Sequence, residues 1–221
     1  MRWWLNHIPA LLSIVSWFHL NEPQSSPSTC VTTSRDLIAL VKCLDTFTVL
    51  PQYYDEETYQ DAQPTGIQRR DWKATINSLL HIDGNCSSIS VPGSLSKVYS
   101  IQLFTPLGSE RSYCTLLEKS VDCNGYPLGW GHFIVPATRS QVSRDIHLSA
   151  PHPKYDVGTL EQAAALFELS GARSLLLAGR TRTAFMEPSN CIRRQATTLP
   201  FYKTDPAHNK VRDPVDSCDG D

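Results

Sequence analysis

The chain has 221 residues, 41% of them apolar and 9% aromatic, enough to bury one sizeable core, since chains of this length hide about 70% of their unfolded surface. Its formal net charge of −2, without a long run of either sign, excludes a basic nucleic-acid-binding face and an acidic tail. One domain is the expected organisation, and the absence of a GxGxxG or Walker loop leaves no nucleotide cofactor to expect.

Residues 1–25 carry one early Arg2 and an apolar stretch over residues 8–18, diluted by Asn6, His7 and His19 and followed by a Ser- and Pro-rich polar segment. This reads as a secretory signal. An uncleaved anchor is the alternative, because about 18 apolar residues can span a bilayer, and contact with a membrane is expected only in that case. Residues 30–210 are then the folded domain. Residues 34–47 place Leu37, Ile38, Val41 and Leu44 at helical spacing, with Asp36 near the amide dipoles of the first turn. Residues 51–64 are acidic, Tyr-rich and without period, which predicts a loop. A second helix over residues 67–80 packs Trp72, Ile76 and Leu79 or Leu80, and Gly84 closes the region. Strand patterns follow over residues 98–104, 113–117 and 131–135, separated by turn residues, and predict three antiparallel neighbours.

The stretch from Ile146 to Arg182 is the most informative. Residues 146–150 read as a strand, residues 160–170 as a helix with Leu160, Ala163, Ala164 and Phe167 on one apolar face, and residues 172–178 as a second strand around Leu175, Leu176 and Leu177. Thr159 and Gln162 have the spacing of a capping box, and Gly171 suits a left-handed helix stop. About twenty residues separate the strands, which is a crossover and not a hairpin, so the strands are expected to be parallel. The predicted fold is α/β or α+β, a small mixed sheet containing a βαβ unit with helices packed on it. Ligands of open parallel sheets sit outside the carboxyl ends of strands. Here those ends carry His152, Tyr155 and Asp156 after one strand, and Arg180 and Arg182 after the other. Residues 187–200 are irregular, 203–210 are turn-rich, and 211–221 read as a disordered or truncated tail.

Seven cysteines, Cys30, Cys43, Cys86, Cys114, Cys123, Cys191 and Cys218, form no CxxC pair. Their scatter argues for disulfides made in an oxidising compartment, hence secretion, with connectivity open and Cys218 as the leftover thiol. Asn85-Cys86-Ser87 is a glycosylation sequon.

The elements GWGHFIV at residues 129–135, HLSAPHPKYDVGT at 147–159, GARSLLLAGRTR at 171–182 and TDPAHN at 204–209 resemble an uncharacterised family of secreted fungal proteins, with more distant bacterial sequences in the same motif order. The resemblance runs from about Cys30 to Asn209 and rests most on PHPxxDxxT and DPAHN. It implies secretion and a further helical segment beyond DPAHN that this sequence does not contain, and it implies no settled activity.

From the residues themselves, His152, Asp156, Asp205 and His208 are the set that supports chemistry. Two imidazoles with one or two carboxylates suit Zn²⁺ or another divalent metal, which lowers the pKa of bound water to about 7 when a coordination position stays open. The expected site has His152 and His208 as metal ligands, Asp156 and Asp205 as catalytic carboxylates, and Arg180, Arg182 and Tyr155 binding a small-molecule or polymeric substrate, because guanidinium matches carboxylate and phosphate. The bland alternatives are a turn carboxylate for Asp156, a rigid loop residue for His152 between two prolines, a turn for Asp205 and His208, and a solvated loop for the arginines. His147 alternates with Ile146 and Leu148 and His132 lies inside a strand, so both read as structural. There is no GxSxG elbow, and secreted cysteines are usually paired, which leaves nucleophilic catalysis without support. Two functions follow: a metal-assisted hydrolase of anionic or amide-containing substrates, or a non-catalytic secreted binding or effector protein on the same scaffold.

Overall fold

The computed structural model describes residues 26–119 and 128–186. Five strands form one mixed sheet in the order β1-β2-β3-β5-β4. They are β1 (Tyr99–Phe104), β2 (Tyr113–Glu118), β3 (His132–Pro136), β4 (Arg144–Ala150) and β5 (Ala172–Leu177). The first three are antiparallel neighbours, β3 pairs antiparallel with β5, and β4 runs parallel to β5. The expected meander and βαβ unit are therefore both present, with helix α5 (Thr159–Ser170) between the parallel strands.

Side-chain alternation along the central strands divides the core in two. Leu117, Ile134, Leu175 and Leu177 face α1 (Pro27–Thr33), α2 (Leu37–Asp45) and α5, sharing one cluster with Leu40, Leu44, Ala164 and Phe167. Leu116, Phe133, Val135 and Leu176 point the other way, towards Leu79 of α4 (Gly66–Leu80) and Leu95. Helices thus cover both faces, and β2 and β3 are buried along their whole length. A strand enclosed on both sides reads as a continuous apolar run, which is why any charged residue within one stands out.

Among the described residues two disulfides staple the helical flanks. Cys30–Cys43 joins α1 to α2, and Cys86–Cys114 joins a short 3-10 turn (Cys86–Ser88) to β2. Closing loops of 13 and 28 residues stabilises by about 3 kcal/mol each in the chain-entropy account. Cys123, Cys191 and Cys218 lie outside the described residues, as do the predicted signal and the tail. Among the described residues no helix is long and apolar enough to cross a membrane.

Three local readings need correction. The predicted loop over residues 51–64 contains a helix, α3 (Glu56–Asp61), started by Asp55 in a capping box with Thr58 and anchored by the buried ring of Tyr59. Six residues are too few for periodicity to reveal, whereas the cap chemistry was there to read. The Ser- and Pro-rich segment likewise gives way to α1 at Pro27, capped by Ser26. At α5 the Thr159–Gln162 capping box does not form. Gly158 occupies the N-cap with φ 81°, and the Thr159 hydroxyl turns back to donate to the Asp156 carbonyl at 2.7 Å. Glycine reaches that left-handed conformation without steric cost, so the backbone makes the start that the side chains were expected to make.

Candidate functional site

The carboxyl ends of β4 and β5 adjoin, with Ala150 paired to Leu177 and the Ala178 amide donating to the Ala150 carbonyl. The antiparallel strands bring Tyr99, Glu118 and His132 to this same sheet edge, because Tyr99 pairs with Glu118 and His132 with Leu177. Two groups of polar side chains result, one exposed beside edge strand β4 and one buried at the centre.

In the exposed group, His152 follows β4 in a turn where the amides of Tyr155 and Asp156 both donate to its carbonyl. That turn brings Asp156 under the imidazole, and His152 Nδ1 lies 3.1 Å from Asp156 Oδ2. Both side chains are well exposed, 36% and 45%, so their pairing is screened by water and worth at most about 1 kcal/mol. Its value is orientation, because a carboxylate on Nδ1 fixes the tautomer and directs Nε2 outward. The Arg182 guanidinium stacks on Tyr155 at 3.4 Å from the ring centroid, so these two residues are held together as a pair.

Arg180 belongs to the buried group. It is 5% exposed, its Nη2 donates to the Leu128 carbonyl at 2.7 Å and its Nε to that of Gly129 at 3.2 Å. Its guanidinium also lies over the rings of Tyr54 and Tyr59 at 5.3 and 5.5 Å. An arginine expected to meet substrate is committed instead to main-chain carbonyls. It clamps the strap of residues 128–131 against the segment that leaves β5.

Glu118, which residue typing passed over, sits at the centre of this group. The last residue of β2, it is 1% exposed and accepts from the Gly131 amide through Oε2 at 2.6 Å. Burial pushes its carboxyl up to about 8, against the opposing pull of the Gly131 amide, the Arg180 charge and the Gly129 and Trp130 amides. The neighbouring His132 is buried as well, and its Nδ1 accepts from the Glu118 amide at 3.1 Å. Burial lowers that imidazole to about 3, so it is neutral, with its proton on Nε2. Burial, and then the Glu118 charge, also raise the Tyr99 hydroxyl.

The strap approaches the β5 exit so closely that side chains do not fit between them. Gly131 has φ 87°, and a Cβ there would run into the Leu177 carbonyl. At Gly179 a Cβ would stand 2.9 Å from Glu118 Oε2 and 2.8 Å from the Gly129 carbonyl carbon. Gly129 and Gly131 thus bring backbone amides onto a buried carboxyl. The sequence signal for Glu118 was an acidic residue ending the apolar strand YCTLLE, answered by two glycines at the start of the next.

Among the described residues no group of three His, Cys, Asp or Glu side chains is arranged to hold a metal ion. Asp205 and His208, the other half of the expected set, lie outside the described residues. The expected structural reading of His147 agrees with the 2.6 Å hydrogen bond between its Nδ1 and Ser174 Oγ. A cleft of about 320 Å³ lies at the opposite edge of the sheet, lined by Leu79, Val135, Arg139, Val142 and Arg173 among others. Its guanidiniums are engaged: Arg139 donates to the His81 carbonyl, and Arg173 bonds Asp145 and the Leu80 carbonyl. No family model matches the chain, and no curated protein or solved structure does so either.

Proposed function

We propose that the protein is a secreted, metal-assisted hydrolase of anionic or amide-containing substrates, working at the exposed carboxyl edge of β4 and β5. The observation that carries this reading is the His152–Asp156 hydrogen bond, which turns Nε2 of an exposed imidazole outward at the edge where α/β sheets bind ligands. In this proposal His152 and His208 hold Zn²⁺ or a similar ion. Asp156, engaged with Nδ1, orients the ligand, and Asp205 accepts the proton from the attacking water. Arg182, braced on Tyr155, binds the anionic part of the substrate, whereas Arg180 supports the site from beneath. Two disulfides fit an oxidising compartment, and Asn85 of the sequon bears a glycan in this reading. A loss of mass on enzymatic deglycosylation is the check on that last point. Elemental analysis of the secreted protein is the direct test of the metal. Near-stoichiometric metal in the wild type, lost in His152→Ala with His208→Ala, is expected. A metal-free wild type sinks the reading.

One observation favours a second reading, a non-catalytic binding or effector protein. The His152–Asp156 pair stands on an open turn, while a cleft of about 320 Å³ lies at the other edge. Catalytic sites of small-molecule enzymes are usually concave. A metal-free protein of unchanged stability in the double variant would make this second reading the working one.

A further inference from the structure

One atom of a buried carboxyl and one of a buried guanidinium stand without a hydrogen-bond partner in the central group, Glu118 Oε1 and Arg180 Nη1. Both side chains are already tied to the same strap, Glu118 through the Gly131 amide and Arg180 through the carbonyls of Leu128 and Gly129. Leaving a buried polar atom unsatisfied costs roughly 1–3 kcal/mol, more for a charged group, and once the carboxyl is ionised the natural partner of each orphan is the other. They do not pair in this state.

We propose that Glu118, Arg180 and the strap of residues 128–131 form a proton-controlled latch: while Glu118 carries a proton Arg180 stays on the strap carbonyls, and when the proton leaves to solvent Arg180 swings to Glu118 Oε1. The exchange breaks hydrogen bonds to Leu128 and Gly129 and makes a buried ion pair. Because Arg180 is two residues from Arg182, it also shifts the segment that presents Arg182 beside Tyr155. The latch stands independently of the hydrolase reading; only the consequence for substrate binding rests on it.

The other groups facing Glu118 do not compete for its proton. His132 on β3 presents an acceptor nitrogen to the Glu118 backbone and burial keeps it uncharged. Tyr99 on β1 and Tyr54 beyond Arg180 are both raised by burial, so neither hydroxyl ionises before the carboxyl. Among the described residues Arg180 is the one buried arginine or lysine. Its guanidinium cannot be deprotonated in proteins, and so the carboxyl is the switching member. The Coulombic influence of Arg180 on Glu118 favours the ionised form, which is the coupling the latch needs.

The test follows the Arg180 side-chain N–H signal by nuclear magnetic resonance in isotope-labelled full chain between mildly acidic and mildly alkaline pH. A single titration step is expected at Arg180, matched by the Glu118 side-chain carboxyl signal and abolished in Glu118→Gln. That variant keeps the shape of the carboxyl and an acceptor for the Gly131 amide. An Arg180 signal that stays fixed while the Glu118 carboxyl titrates would overturn the proposal, as would a step that persists in the variant. Should Glu118→Gln fail to fold, the paired titration of the two wild-type signals decides alone. Metal content does not enter these readouts, so the latch and the hydrolase reading fail separately.

Discussion

The two polar groups at the carboxyl edge contain the same kinds of side chain, an imidazole, a carboxyl and an arginine beside tyrosine, yet they differ in what water does to them. His152 and Asp156 are screened, and their hydrogen bond orients without adding much stability. Glu118 and His132 are stripped of water, and burial drives the carboxyl up and the imidazole down, each towards its neutral form. Placement in the sheet makes the difference. The edge strand β4 ends in an open turn, whereas β2 ends and β3 begins beneath the strap and between two helical layers. One group is therefore free to meet a ligand, and the other sets the folding energetics.

Gly131→Ala probes that contrast with the largest expected effect. The new Cβ meets rigid backbone at Leu177, and φ 87° disfavours any L side chain. We expect a loss above about 3 kcal/mol, read by chemical denaturation. Near-normal stability would mean that the strap is not packed on the β5 exit. The pH profile comes next. A raised carboxyl pKa gives stability that is complete below 4.5 and lost as pH rises through about 8. The lowered imidazole gives stability complete above 6.5 and lost as pH falls through about 3. Together they predict a plateau between about 4.5 and 6.5 with a fall on each side, each limb sloping by at most about 1.4 kcal/mol per pH unit. Glu118→Gln should flatten the alkaline limb and leave the acid limb in place. Thermal melts across this range check both, and an unchanged alkaline limb would place that proton elsewhere.

Arg180→Lys is next in size. Lysine keeps the charge but not the planar fork that spans two carbonyls and two tyrosine rings. A loss of about 2–3 kcal/mol is expected by denaturation. A loss under about 0.5 kcal/mol would mark Arg180 as a surface-like residue and erase the distinction between the groups.

How far this was legible in the sequence follows from the same physics. Periodicity exposed α2, α4, α5 and the strands β1, β2, β3 and β5, because each buries a face; β4, buried only at Ala150, showed in its alternation, and the crossover length settled its parallel pairing with β5. The short helices α1 and α3 carried no such pattern, only their caps at Ser26 and Asp55. For the site, residue type in a loop pointed to His152, Asp156 and Arg182, which the turn and the Tyr155 ring do hold at one edge. Residue type misled for Arg180, whose burial depends on the Tyr54–Tyr59 segment and the strap, both distant from it in sequence. It was silent on Glu118, since an acid at the end of an apolar strand normally reads as the strand reaching solvent. What buries it is the strap of residues 128–131, a tertiary event that strand alternation alone does not reveal.

The smallest expected effect is the sharpest test of the contrast. His152→Ala removes one member of an exposed pair, and because water already solvates Asp156 the remaining carboxylate is not stranded. The loss of stability should stay below about 1 kcal/mol, with the pH plateau unmoved, since neither limb depends on His152. His132→Asn, in contrast, keeps an acceptor near the Glu118 amide but replaces a buried ring, and should remove the acid limb while costing about 1–3 kcal/mol. Parallel denaturation of the two variants decides whether the groups are separable. If His152→Ala proved as costly as His132→Asn, the outer turn would be part of the folding core, and its imidazole would be too committed to structure to serve a ligand.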